Sequence, residues 1–487
     1  MRTGIRRTTA AATAGLLLLT GTLPQAAAQP SSPSAPPPST ASSEPAPPSA
    51  PASARPNSVP PDLPEGTQPP ADEGKPDVVY KRTDKGCVES DTKSELIEYM
   101  PWGQVYLNLD QAHKFATGKG VRIAIIDTGV DPRNPRFTGR VQGAGEYVFG
   151  NDNGTDDCDG HGTEVAGVAA AAKTEGDFVG AAPEATILAI RQTSDRYEFP
   201  GDANNEKRAT AGKVATLAQA IVRAANANAE VINISLTNCG TPKGFSADDR
   251  KLQAAIRYAV DVKDSVIVTA AGNLNGQGAG CPVQNHNLDI NNVNSISSPA
   301  WFADDVLSVA SIGRDGEVSD FSVWGPWVSI AAPGEEIISV DPKGTGLTNA
   351  NVTANGVQDI KGTSFAAPYV SGITALVRQR FPDLTARQVM DRLKATALHP
   401  GGVSGKDHKI GYGMVNPVAA LTAVLPAESA GFQKAQPKEI ATSVTPPPGL
   451  DWPPIIVALS GIGTGGALLA LTMIVRNALN RRRGSTA

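Results

Sequence analysis

Continuous apolar runs, rather than alternating ones, mark the middle of this chain. VRIAIID (Val121 to Asp127) has no polar face until Asp127, so it predicts a short strand buried on both sides. Similar runs at Thr186 to Ala189, Val231 to Ser235, Val266 to Thr269 and Val306 to Ala310 alternate with amphipathic stretches such as Val214 to Ala227. Strands alternating with helices in this way predict an α/β fold, a doubly wound and mostly parallel sheet covered on both faces. Two more helices stand out. One, rich in small residues, begins at His161 and runs to Ala172; the other begins at Ser364 and carries Ala366, Ala367, Val370, Ile373, Leu376 and Val377 to a stop at Phe381 and Pro382.

Three short segments then carry the candidate chemistry: IIDTG around Asp127, DGHGTEVAG around His161 and KGTSFAAPYVSG around Ser364. A serine hydroxyl is protonated at neutral pH and attacks a carbonyl only when a base takes its proton, and that base needs a partner to fix its tautomer. Ser364, His161 and Asp127 fit those three roles. Asp127 is delivered at the carboxyl end of a strand, the edge where open parallel sheets bind ligands. Ser364 opens a helix whose N–H groups face developing negative charge. The other four histidines, His113, His286, His399 and His408, fall in polar or Gly- and Asn-rich stretches and read as surface residues.

These blocks resemble the three signature blocks of the subtilisin (subtilase) family, over roughly residues 120 to 425. The resemblance implies serine endopeptidase activity through an acyl-enzyme, with no cofactor. It also implies that Asn273, ending VIVTAAGN, joins the Ser364 backbone N–H as an oxyanion hole, and that Ala270, Ala271 and Gly272 line the substrate cleft with Ser235, Leu236 and Thr237. The family commonly has glycine after Ser-Leu in that last segment; Thr237 here implies a narrower pocket for the residue before the cut. Calcium sites found in many subtilisins are not assignable, because Asp131, Asp156, Asp157 and Asp159 show no recognisable ligand spacing, and no metal is expected.

Within the family the chain is similar to the mycosins, membrane-anchored subtilases of type VII secretion systems, through PWGQ (Pro101 to Gln104), GYGMVNPVAAL (Gly411 to Leu421) and its overall layout. That likeness implies a protein or peptide substrate and secretion-complex partners in the membrane. It also admits a second reading, a structural subunit whose proteolysis is dispensable.

The chain ends fit an exported, anchored protein. Arg2, Arg6 and Arg7 precede an apolar stretch at Leu16 to Leu19, and Ala26 to Ala28 supply a cleavage site, so residues 1–28 read as a signal peptide, with the general secretory route preferred over a twin-Arg one. Ile455 to Val475 is an uncharged apolar stretch of transmembrane length; Trp452 suits the outer interface, and Arg476 with Arg481 to Arg483 places the tail in the cytoplasm. The catalytic domain is thus expected outside the cell membrane. Residues 31–70 hold 14 of the 39 prolines, a composition that predicts an extended, mobile segment. The resulting division is signal 1–28, Pro-rich disordered segment 29–77, extension 78–119 packed on the catalytic domain 120–426, linker 427–454, transmembrane helix 455–475 and tail 476–487. With about 90 residues before the first catalytic strand, nearly half of them low in complexity, a folded prodomain does not fit.

Four cysteines in an exported chain are expected to be oxidised. Three pairings are open. The favoured one joins Cys87 to Cys158, stapling the extension to the loop before His161, and Cys239 to Cys281, each shortly after a strand. The formal charge of −5 becomes more negative without the arginines of the signal and tail, which argues against nucleic acid as a partner.

Overall fold

Seven strands, among them all five of the apolar runs, pair into one sheet: β1 (Arg122–Asp127), β2 (Val141–Glu146), β3 (Thr186–Arg191), β4 (Val231–Ile234), β5 (Val266–Ala270), β6 (Leu307–Ile312) and β7 (Ile330–Pro333). Their order is β7-β6-β5-β4-β1-β3-β2, and every neighbouring pair is parallel. Helices α1 (His161–Ala170), α2 (Val214–Asn226), α3 (Ala247–Arg257), α4 (Thr363–Arg380) and α5 (Ala386–Ala395) accompany it. Helix α1 packs on α4 and α2 on α3, and α4 also lies against β4, β5, β6 and β7. Coverage on both faces explains why β1 and β4 to β7 lack an exposed polar face. The expected doubly wound parallel sheet is therefore the observed architecture.

The computed structural model describes residues 56–91, 99–150, 153–201, 209–242, 245–274, 280–286, 289, 292–353, 356–400, 405–428 and 452–483. The expected signal, the Pro-rich stretch up to residue 55, most of the 427–454 linker and the last four residues lie outside them. From β1 the chain turns toward β3 and β2, whereas from β4 it turns toward β5, β6 and β7. The carboxyl ends of β1 and β4 therefore diverge, which is where such sheets open a crevice. Register sets Ile126 of β1 beside Ile234 of β4 and Asp127 beside Arg191, so Asp127 and Ser235 leave the sheet at that crevice.

The amino-terminal segment runs along the catalytic domain. Lys81–Arg82 pairs antiparallel with the Ser194–Phe199 strand, and Glu89–Asp91 with the Ala350–Thr353 strand. The disordered character expected as far as residue 77 does not extend to residues 56–77. Asn57 exchanges hydrogen bonds with the Val293 backbone, the Trp301 indole donates to the Ser58 carbonyl, and Asp72 pairs with Arg223 and accepts from the Tyr147 hydroxyl. A Pro-rich segment is already extended, so it loses little entropy on docking, and its carbonyls remain free to accept. Two histidines also depart from the surface reading. His113 is half-buried with Nε2 3.0 Å from the Ala181 carbonyl oxygen, and His408 is half-buried too, whereas His286 and His399 are exposed.

Near the carboxyl end, α6 (Trp452–Arg483) is a single helix of 32 residues. Its span Ser460–Arg481 has mean hydropathy 1.4 and no buried residues. Among the described residues it is the one helix long and apolar enough to cross a bilayer.

Candidate active site

Asp127 ends β1 fully buried. Its Oδ1 accepts from the Thr128 N–H at 2.8 Å and lies 2.7 Å from His161 Nδ1. His161 is the first residue of α1, and its side chain remains 31% exposed. Burial opposes protonation of the ring, but the charge and hydrogen bond of Asp127, helped by Glu164 and Asp157, outweigh it and push the imidazole up to about 9. The carboxylate thus fixes Nδ1 as the donor and leaves Nε2 for proton exchange.

A second carboxylate, Asp157, locks the two turns together. Fully buried, it accepts from Thr128 Oγ1 at 2.9 Å, the Gly160 N–H at 2.7 Å, the Thr163 N–H at 2.9 Å and Thr163 Oγ1 at 2.6 Å. Burial pushes this carboxyl above its ordinary range, and those hydrogen bonds oppose the shift. Thr128 Oγ1 also accepts from the Gly162 N–H at 2.8 Å. A Cβ at Gly162 would sit 2.1 Å from the Gly129 carbonyl oxygen, so only glycine lets α1 start this close to Asp127.

Ser364 lies in the first turn of α4 and is 7% exposed. Pro368 sits inside the same helix and has no N–H to give to the carbonyl four residues back, which is that of Ser364. Ser235 Oγ donates to this freed carbonyl at 2.7 Å. Asn233 donates to Ser235 Oγ at 2.9 Å and accepts from Ser371 Oγ at 2.8 Å. A buried polar chain from β4 thereby pins the Ser364 turn. Phe365 packs edge-on against the His161 ring, with centroids 5.3 Å apart. The Ser364 hydroxyl does not hydrogen-bond to the imidazole in this structure, a contact that tightens in substrate complexes.

Asn273 follows β5. Its Oδ1 accepts from both the Thr363 N–H and Thr363 Oγ1 at 3.0 Å, which orients the amide nitrogen. A methyl group placed on Gly362 would lie 2.9 Å from Ser364 Oγ and 3.4 Å from Asn273 Nδ2. Hydroxyl and amide therefore border one small space. Ala270 and Ala271 are buried, and Gly272 (φ +108°) leaves no room for a Cβ, which would meet Ser297 Oγ at 2.6 Å. Ser235, Leu236 and Thr237 continue from β4 outside any strand, with Leu236 and Thr237 half-buried. The sulfurs are joined as Cys87–Cys158, beside the His161 turn, and Cys239–Cys281, beside Gly272.

Several supporting residues escaped the sequence reading. Thr128 and Thr163 lie inside the signature blocks and Asp157 two residues before one, but their pairing is invisible in one dimension. Asn233, a polar residue in the apolar run VINI, was the available signal for the Ser235 chain. Among the described residues, no three His, Cys, Asp or Glu side chains gather so as to hold a metal; Asp131 and Asp156 instead pair with Arg133 and Arg191.

Comparison with known proteins adds to this geometry. The Subtilase family model (Peptidase_S8) matches residues 118–413. Mycosin-1 of Mycobacterium tuberculosis (strain ATCC 25618 / H37Rv) is 45% identical over 399 residues, covering 78% of this chain and 86% of its own. The solved structure of MycP1, described as a serine protease and an essential component of the type VII (ESX-1) secretion system, superposes with a TM-score of 0.68 at 41% identity, over 75% of this chain and 99% of that one. A chain of the intact ESX-5 inner membrane complex does so with a TM-score of 0.69 at 36% identity, over 86% and 99%.

Proposed function

Because the chain belongs to the subtilase family and, within it, to the mycosins, we propose that it cleaves peptide bonds through an acyl-enzyme on Ser364 as part of a type VII secretion membrane complex. The observation that carries the mechanism is the 2.7 Å contact from His161 Nδ1 to the buried Asp127 carboxylate. Ser364 Oγ attacks the scissile carbonyl carbon while His161 Nε2 takes its proton. The Asn273 amide and the Ser364 N–H stabilise the oxyanion, and His161 then protonates the leaving amine as the carbon–nitrogen bond breaks. Water repeats the sequence and frees Ser364. The substrate backbone lies between Ser235 to Thr237 and Ala270 to Gly272.

Helix α6 serves as a single membrane anchor. Arg476 and Arg481 at its end put the tail on the cytoplasmic side and the catalytic domain on the other, the leading residues having directed export. The similarity to a chain of an assembled ESX-5 complex favours the second reading, a scaffold for the secretion complex. The two roles are compatible. In a deletion strain, Ser364→Ala tests their balance: failure to restore export at normal protein level makes catalysis the primary role, and restoration makes assembly primary. A fluorophosphonate should label Ser364 of the full chain in detergent. Folded protein that takes no label would sink the acyl-enzyme mechanism.

A further inference from the structure

Glu164 lies one turn along α1 from His161 and is 1% exposed. Carboxylates are almost never buried this deeply unless paired with a cation, and among the described residues Glu164 forms no ion pair. Its Oε2 accepts from Asn351 Nδ2 at 3.3 Å. Its Oε1 is buried without a donor, and so is Oδ1 of the same Asn351. Two acceptors stranded on the two halves of one side-chain pair point to a proton between them. A carboxyl protonated on Oε1 donates to Asn351 Oδ1 while Asn351 Nδ2 donates back to Oε2, and both stranded atoms are satisfied at once.

We propose that Glu164 is held as a neutral acid in a two-bond pair with the Asn351 amide, and that this pair positions the His161 helix and keeps a second negative charge away from the imidazole. The inference rests on His161 being the general base. Asn351 sits in the Ala350–Thr353 strand, opposite Ser90 on one side and Gln358 on the other. The pair therefore ties the catalytic helix to the strand that holds the amino-terminal segment, close to the tie made by Cys87 and Cys158.

The surrounding charges support the neutral form. Burial raises the Glu164 carboxyl most; His161 and the Asn351 bond oppose this, Asp157 and Asp127 add to it, and the result is about 8. Other elements packed on α1 bring no cation to Glu164. The Ser339–Val340 strand supplies only the Ser339 hydroxyl, which donates to the Glu164 backbone carbonyl at 2.6 Å. Arg191 of β3 is held by Glu146 and Asp156, and Tyr369 of α4 directs its hydroxyl toward Gly103.

The test uses the full chain in detergent, with Glu164→Gln and Glu164→Ala. Glutamine reproduces the neutral pair permanently, with its amide donating to Asn351 Oδ1 and its oxygen accepting from Nδ2. Infrared difference spectra of the parent protein should contain a protonated-carboxyl band that disappears on crossing about pH 8 and is absent from E164Q. E164Q should still take the fluorophosphonate with a profile that follows the parent's below about pH 8, and above it with the alkaline midpoint moved down by about half a pH unit, because only there does Glu164 acquire the charge that holds the imidazole protonated. E164A, which leaves Asn351 unpaired, should label more slowly than E164Q at every pH. A band titrating near the ordinary carboxylate value of about 4.3, or an E164Q profile that departs from the parent's below about pH 8, overturns the proposal. Should the parent protein take no label at any pH, the reading of His161 fails, and the infrared band by itself decides Glu164.

Discussion

At the scale of single residues, Asn273 uses both ends of one amide. Thr363 holds the oxygen through two hydrogen bonds, which turns the nitrogen toward the space beside Ser364. Asn273→Ala should fold normally and lose about a hundred- to a thousandfold in peptide turnover, the cost known from removing such a donor in a subtilisin; a loss under about threefold would take Asn273 out of the oxyanion hole. His161 sets the pH dependence. The base must be neutral to accept the Ser364 proton, and its neighbours push the ring up to about 9. Labelling of Ser364 should therefore be slow near neutrality and climb as pH rises through about 9, and Asp127→Asn should move the midpoint down while slowing the plateau. A midpoint for the parent protein near the ordinary histidine value of about 6.5 would contradict this.

At the scale of elements, the proposed narrowing of the cleft by Thr237 is the feature to test. Thr237 stands half-buried on the segment after β4, so the protease should prefer small residues such as Ala or Ser before the cut, and Thr237→Gly should admit Leu and Phe. Strong cleavage by the parent protein after large aromatic residues would refute the narrowing. Strands such as β1 and β5 were legible because an unbroken branched apolar run has few other folds open to it. The edge strand β2, VQGAGE, was not: its glycines and polar residues give no periodic signal, and pairing with β3 alone makes it a strand. The same holds for Glu89–Asp91 and Ala350–Thr353, short and polar strands defined by partners far along the chain. The signature blocks exposed Asp127, His161 and Ser364 because each needs a local turn with small neighbours. Nothing local announces that Asp157 bonds Thr128 or that Ser371 reaches Asn233.

For the whole molecule, the amino-terminal segment is a stapled part of the fold. The Cys87–Cys158 bond closes a loop across 71 positions, for which chain-entropy reasoning gives about 4 kcal/mol. Replacing both cysteines with serine should lower unfolding stability by an amount of that order in denaturant titration while Ser364 still takes label; a change under about 1 kcal/mol would mean that the β-pairing of the segment already suffices. The position of α4 has a different consequence, one of timing. This helix follows every strand of the large sheet in the chain, yet it lies against most of them and brings Ser364 with it. The carbonyl of Ser364 waits for a hydroxyl 129 positions upstream, a non-local contact of the kind that forms late in folding. A growing or truncated chain that ends before α4 can assemble the binding edge and the acid–base pair but has no means of cutting. Proteolytic competence therefore arrives last, when there is little unfolded chain of its own left to attack.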